Sequence, residues 1–225
     1  MTSEEELARR LAAEAISGGE PTGWFERIYA AAAAGDSVVP WDRGMPHRLL
    51  TGWAADTGLS GRREDGRRSA AVVVGCGLGD DAEFVEGLGF AVTAFDISPT
   101  AVEGARQRFP GSAVRYQNAD LLHLPGDWRQ SFDLVVESMT LQALPEPPRA
   151  AAIAEVGTLV APGGTLLVIA RGREPDEPDD GPPWALTSDE IGALTEPGLR
   201  VVSIEDLRDT EPPARRWRAV LHRPS

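Results

Sequence analysis

The sequence predicts an α/β protein built on one mainly parallel sheet with helices on both faces, and three observations carry that reading. Beyond residue 70, apolar strand-like runs alternate with helical stretches, the order expected when crossover helices join parallel strands. The runs AAVVVG (70–75) and TLLVIA (165–170) are apolar throughout, as strands covered on both faces are. A length of 225 residues with 42% hydrophobic residues suits one such domain, or two small ones at most.

Taken in order, residues 3–17 predict an amphipathic helix, with Leu7, Leu11 and Ile16 on one face and Ser3 with Glu6 as a capping box. A second helix spans 23–34 and stops at Gly35. After the loop DSVVPWDRGMP a third spans 47–57. Segment 60–69, SGRREDGRRS, has no apolar residue and reads as a solvated turn. The first strand is followed by a helix over 80–88, the strand FAVTAFD, a helix over 99–108, and the strands AVRYQNAD and FDLVVES. A helix over 148–160 leads through the turn APGG into TLLVIAR. EPDEPDDGPP (174–183) is an acidic loop, and a short helix starts near Ser188. LRVVSIED and RRWRAVLHR complete a seven-stranded sheet, the last strand antiparallel because its connection is too short for a crossover. The 69 residues before the first strand hold Trp24, Phe25, Trp41 and Trp53 but few branched apolar residues. Residues 1–69 are therefore expected to be a helical lid on a domain of 70–225, not an independent unit.

Composition removes several chemistries. The single cysteine, Cys76, excludes an internal disulfide, a cysteine zinc site and a cysteine-held iron–sulfur cluster. Three scattered histidines argue against a histidine metal site. All 22 basic residues are arginine, which excludes lysine Schiff bases and the phosphate-loop lysine. A formal charge of −13 disfavours nucleic acid and anionic membranes. An acidic N-terminus and the lack of a long apolar run point to a cytoplasmic protein, expected as a monomer or weak homodimer.

The sharpest local signal is VVVGCGLGDDAEF, a strand running into Gly75, Gly77 and Gly79 before a helix. Such glycines let the backbone turn tightly and approach a ligand. The dinucleotide fingerprint needs a third glycine at position 80, where Asp80 stands, with Asp81 beside it. No arginine or histidine occurs between Arg68 and Arg106, so a pyrophosphate would meet two carboxylates and no nearby sequence cation. S-adenosylmethionine suits the turn better: it has an adenosine, no phosphate, and cationic groups that tolerate acids. Asp96, ending FAVTAFD, stands where an acid would hold ribose hydroxyls, about 20 residues past the turn. Its alternative is a helix cap before Ser98 and Pro99. Asp120 ends the third strand and could meet an adenine amino group, and Glu137 ends the fourth beside the cleft.

These segments resemble class I methyltransferases that use S-adenosylmethionine, over roughly 70–170. GCGLG is similar to the family's first motif, FDISPTAVEGAR to its second, NADLLHLP to its third, and LVAPGGTLLVIA to a later one. Val73 stands where most members carry an acid before the first glycine. GCGLGDD, the upstream WFERIY and VVPWDRGMP, and the downstream GPPW and LTSDEI resemble the thiopurine, thiol and halide methyltransferase group in particular. The resemblance implies a Rossmann-like fold, S-adenosylmethionine as cofactor and S-adenosylhomocysteine as product. It implies that Trp24 and Trp41 cover the cofactor, with Gly75 and Gly77 beneath it. Asp96 and Ile97 would lie at the ribose, Asp120 and Leu121 at the adenine, and Glu137 close by. Core packing is the alternative for both tryptophans. Cys76 reads as a packing residue and His123 as a loop histidine.

Methyl transfer is an in-line displacement that needs alignment and exclusion of water. A soft nucleophile such as a thiolate needs no base. An oxygen or nitrogen acceptor would call on Glu137, the one candidate catalytic carboxylate, or on a histidine. Ser138 replaces the arginine that thiopurine methyltransferases carry there, and MTLQALP with Trp184 and Trp41 predicts an acceptor pocket with little positive charge. A nicotinamide oxidoreductase and a non-catalytic binder of S-adenosylmethionine are the alternatives.

Overall fold

Small and β-branched apolar residues fill the strands, and the period-two pleat sorts them onto two faces. A computed structural model describes residues 3–178, 181–196, 198–210 and 213–225. Three helices come first: α1 (Ser3–Ser17), α2 (Gly23–Ala33) and α3 (Arg48–Thr57). Next come β1 (Ala70–Val74), α4 (Asp80–Gly87), β2 (Ala91–Asp96), α5 (Pro99–Arg108), β3 (Arg115–Asn118) and β4 (Phe132–Ser138). The chain continues with α6 (Pro148–Thr158), β5 (Val160–Arg171), α7 (Ser188–Ala193), β6 (Arg200–Thr210) and β7 (Pro213–His222).

The sheet runs β3-β2-β1-β4-β5-β7-β6, parallel except for β7, which is antiparallel to both neighbours. Val72, Val74, Val135 and Val168 face α6 and α7, where Ile153, Val156 and Ile191 complete one core. Ala71, Val73, Val136 and Ile169 face the opposite way, onto Val85 of α4 and Val102 of α5. Leu49, Leu50 and Trp53 of α3 belong to this second core, so the third helix is part of the sheet's own packing. α1 and α2 meet in a smaller cluster with Ala101 of α5. The strand order reverses between β1 and β4, which opens a crevice at their carboxyl ends.

Two details depart from the sequence reading. APGG is not a turn before a strand: β5 runs through it, with Gly163 at φ +76 and a register shift against β4 between Phe132 and Leu134. Glycine permits that irregularity while the strands stay paired. β3 stops at Asn118 because the chain turns there, Asp120 accepting from the Leu122 amide at 2.9 Å. The Ser3–Glu6 capping box involves a side chain outside the described set, as do Asp179 and Asp180 of the acidic loop.

Candidate active site

A cavity of about 380 Å³ occupies the crevice, floored by the turn after β1 and roofed by α2 and the loop over 36–47. Gly75 and Gly77 take φ of +58 and +52, left-handed values that glycine adopts without strain. A Cβ on Gly75 would collide with Thr140, and one on Gly77 would stand 2.8 Å from the Tyr29 hydroxyl. The turn is therefore bare backbone facing the cavity. Beside it the buried Asp96 accepts from the Gly77 amide at 2.9 Å and the Ser98 amide at 2.9 Å. Burial raises its pKa against the pull of those amides. Ser98, not Asp96, caps α5, its hydroxyl accepting from the Ala101 amide.

The roof is aromatic. Trp24 is 2% exposed, and its indole N–H has no partner among the described residues. Trp41 is 41% exposed, meets Trp24 edge-on at 5.8 Å and donates to the Tyr29 hydroxyl at 2.9 Å. Two polar clasps hold the roof down. Glu26 of α2 accepts from the hydroxyls of Ser98 (2.6 Å) and Thr100 (2.5 Å). Burial would raise the Glu26 pKa, but these hydrogen bonds hold it below the ordinary value. Arg108 of α5 forks between Asp42 of the loop (2.6 Å) and Asp80 of α4 (2.8 Å).

Trp24, Trp41, Gly75, Gly77, Asp96, Ile97, Asp120 and Leu121 all line this one cavity. Residues 71–164 match the family described as a methyltransferase domain. Over 209 residues the chain is 28% identical to the probable thiol methyltransferase 2 of Arabidopsis thaliana, covering 92% of this chain and 84% of the relative. It is 36% identical to the ubiquinone biosynthesis O-methyltransferase of Xanthomonas campestris over 104 residues, 45% of this chain and 43% of that protein. The 1,6-didemethyltoxoflavin-N1-methyltransferase of Burkholderia thailandensis, solved with S-adenosylhomocysteine, superposes with a TM-score of 0.64 at 16% identity, covering 100% of this chain and 92% of that one. Residues 71–164 therefore form a methyltransferase domain, in a chain with the fold of the class I S-adenosylmethionine-dependent methyltransferases.

The cavity of this methyltransferase fits its cofactor: a bare glycine turn admits close approach, two carboxylates offer acceptors, and an aromatic wall suits a cation. One expected site residue lies elsewhere. Glu137 is 0% exposed and does not line the cavity. Its Oε1 turns back to accept from the Thr140 and Leu141 amides at 2.7 and 2.9 Å, so it braces the turn after β4. Burial pushes its pKa up to about 7 despite those amides. Met139 in that turn has φ +66, a strained value for a bulky side chain, and faces the cavity. His123 is 82% exposed at its side chain and pairs with Asp120 at 2.8 Å. Burial, with Asp96 next, pushes the Cys76 thiol well up, consistent with a packing role.

Sequence order concealed two groups in the methyltransferase. The cavity is not poor in positive charge: Arg43, Arg171 and Arg216 line it, from a loop, the end of β5 and the start of β7. Asp80 likewise has a cation, Arg108, which a search along the neighbouring sequence could not find. Tyr29 and Asp81 also line the cavity, the latter accepting from the His47 amide at 2.6 Å. A tyrosine one helical turn from Trp24 and Phe25 was the available signal for the first; nothing local distinguished the second.

Proposed function

We propose that the protein moves the methyl group of S-adenosylmethionine to the sulfur of a small thiol. Asp96 holds the ribose hydroxyls, Asp120 and Leu121 meet the adenine, Ile97 packs between them, and Gly75 and Gly77 lie under the methionine part. The observation that carries the choice of acceptor is that the bases at the site are already engaged. Asp81 accepts from the His47 amide, and the His47 Nδ1 accepts from the Leu49 amide at 3.2 Å, which leaves the ring proton on Nε2. Burial, then Arg43, Arg216 and Arg48, hold the His47 pKa down at about 4, so it is neutral and a donor at pH 7. Glu137 is sealed from the cavity. A thiol that ionises near neutrality needs no help of this kind. Similarity to a thiol methyltransferase over most of both chains supports the same reading.

One observation favours a second reading. Burial raises the Asp81 pKa, and an aspartate with raised affinity for a proton could serve an oxygen acceptor as general base. Product analysis with S-adenosylmethionine and matched thiols and phenols separates the two. S-methyl products with rates following thiol ionisation are expected. Phenol methylation abolished by Asp81→Asn, with inert thiols, would favour the second. Calorimetry showing NAD(P) binding and none for S-adenosylmethionine would remove both.

Residues 20–48 act in this reading as a lid, held by the Glu26 and Arg108 clasps and carrying Trp41 over the sulfonium, where cation–π attraction contributes ~0.5–2 kcal/mol. Their amide hydrogen exchange should slow when S-adenosylmethionine binds. Unaltered exchange there, with protection confined to 75–79, would leave the tryptophans structural.

A further inference from the structure

Arg171 and Arg216 stand directly opposite each other in the antiparallel β5–β7 pair. Paired residues of adjacent strands project to the same side, with Cβ atoms about 5 Å apart, and like charges so placed repel. Here the antiparallel hairpin matters. It puts the beginning of β7 at the sheet end where β1, β2 and β4 finish, so both guanidinium-bearing side chains line the cavity. Arg43 reaches the same cavity from the roof loop, next to Asp42, whose carboxylate is committed to Arg108.

Among the described residues no carboxylate neutralises these three. Among the described residues the guanidinium groups of Arg43 and Arg171 meet no acidic side chain, and Arg216 donates only to the Arg215 carbonyl at 3.1 Å. By contrast Arg215 and Arg218, on the same strand, each pair with a carboxylate, Asp206 and Glu205. Scarcity of acids is no explanation, since 35 Asp and Glu face 22 Arg in this chain. The Arg216 environment is cationic enough that burial, with Arg171, Arg43 and Arg48, lowers even its pKa to about 10. The acids of the cavity are all engaged: Asp42 and Asp80 by Arg108, Asp81 by the His47 amide, Asp96 by backbone amides and Asp120 by His123.

We infer that Arg43, Arg171 and Arg216 form an anion subsite, and that the methyl acceptor is a small thiol carrying a carboxylate. Guanidinium forks match a carboxylate geometrically, and an anion between the paired strands relieves their mutual repulsion. The acceptor's charge would be held at the β5–β7 end of the cavity, with its sulfur toward the glycine turn. The neutral His47 adds a donor at the same rim. This inference rests on the thiol reading for the acceptor atom, but not for the charge.

Calorimetry on protein saturated with S-adenosylhomocysteine tests it with two isosteric pairs: 3-mercaptopropionate against 3-mercaptopropionamide, and 4-mercaptobenzoate against 4-mercaptobenzamide. At least one acid should bind tenfold or more tighter than its amide, with the preference weakening as salt is raised. Arg171→Gln with Arg216→Gln should bring that ratio to within about twofold. Arg43→Gln, on the exposed loop, should lower it without disturbing the sheet. Amides binding as tightly as acids, a ratio that survives all three substitutions, or no binding of either acid would overturn the subsite. Turnover with S-adenosylmethionine separates the two readings. If acids are preferred but no thiol is methylated, the thiol assignment fails and the subsite stands. If thiols are methylated without acid preference, the reverse holds.

Discussion

Replacing Asp96 by alanine should weaken S-adenosylmethionine binding ten- to hundred-fold. Charge-assisted hydrogen bonds to the ribose would be lost, each worth roughly 1.5–3 kcal/mol. The same change should lower the melting temperature. Asp96 is buried and satisfies the amides of Gly77 and Ser98, so alanine leaves two donors without an acceptor at the floor of the cavity. An orphaned buried donor costs roughly 1–3 kcal/mol, and each kcal/mol corresponds to ~2–4 °C in a chain of this size. Asp96→Asn separates the effects, since its amide oxygen can still accept from one backbone N–H while the charge is gone. Calorimetry and thermal melts on both variants are decisive. Full cofactor affinity in either one would remove Asp96 from the ribose site and leave it a brace for the glycine turn.

Relative to its Glu137→Gln variant, the protein should lose stability as pH rises from about 4.5 to 7; neutral His47 contributes an opposite pH dependence that both proteins share. Glu137 has a native pKa of about 7 against an ordinary value of 4.5. Between those values the native state binds a proton that the unfolded chain has released, so ΔG of unfolding decreases with rising pH. The full difference corresponds to as much as about 3 kcal/mol, complete above pH 7 and absent below pH 4.5. Glutamine keeps an oxygen for the Thr140 and Leu141 amides and removes the titration. The variant should therefore melt higher than the parent at pH 8 and at a similar temperature near pH 5. An unchanged slope in Glu137→Gln would place the titration elsewhere. Loss of turnover in a correctly folded Glu137→Gln would restore the carboxylate as a catalytic candidate.

The strand assignments and the glycine turn were legible because each is written in a few consecutive residues. AAVVV, short, β-branched and apolar throughout, reads as a strand with both faces covered, and Gly75 and Gly77 occupy φ values that disfavour a side chain. Asp96 and Asp120 were legible by position, as acids closing the second strand and following the third. Glu137 obeyed the same positional rule and misled. A strand-end carboxylate in such a protein can face the crevice or fold back, and the backbone amides of Thr140 and Leu141 decided which. The alternation that predicts a buried strand says nothing about the last side chain once the chain starts to turn.

Sequence alone therefore determined the sheet, its mainly parallel order, the glycine turn and the tryptophan-rich roof segment, because period and residue type act locally. The tertiary structure decided the electrostatics. Arg108 clasps Asp42 across 66 positions of chain, and Arg171 meets Arg216 only because β7 returns antiparallel beside β5. Expecting an acceptor end with little positive charge was reasonable from MTLQALP and its neighbours. It failed because charge in a cavity is summed over every element that reaches it, and strand register brings together residues that no local pattern connects.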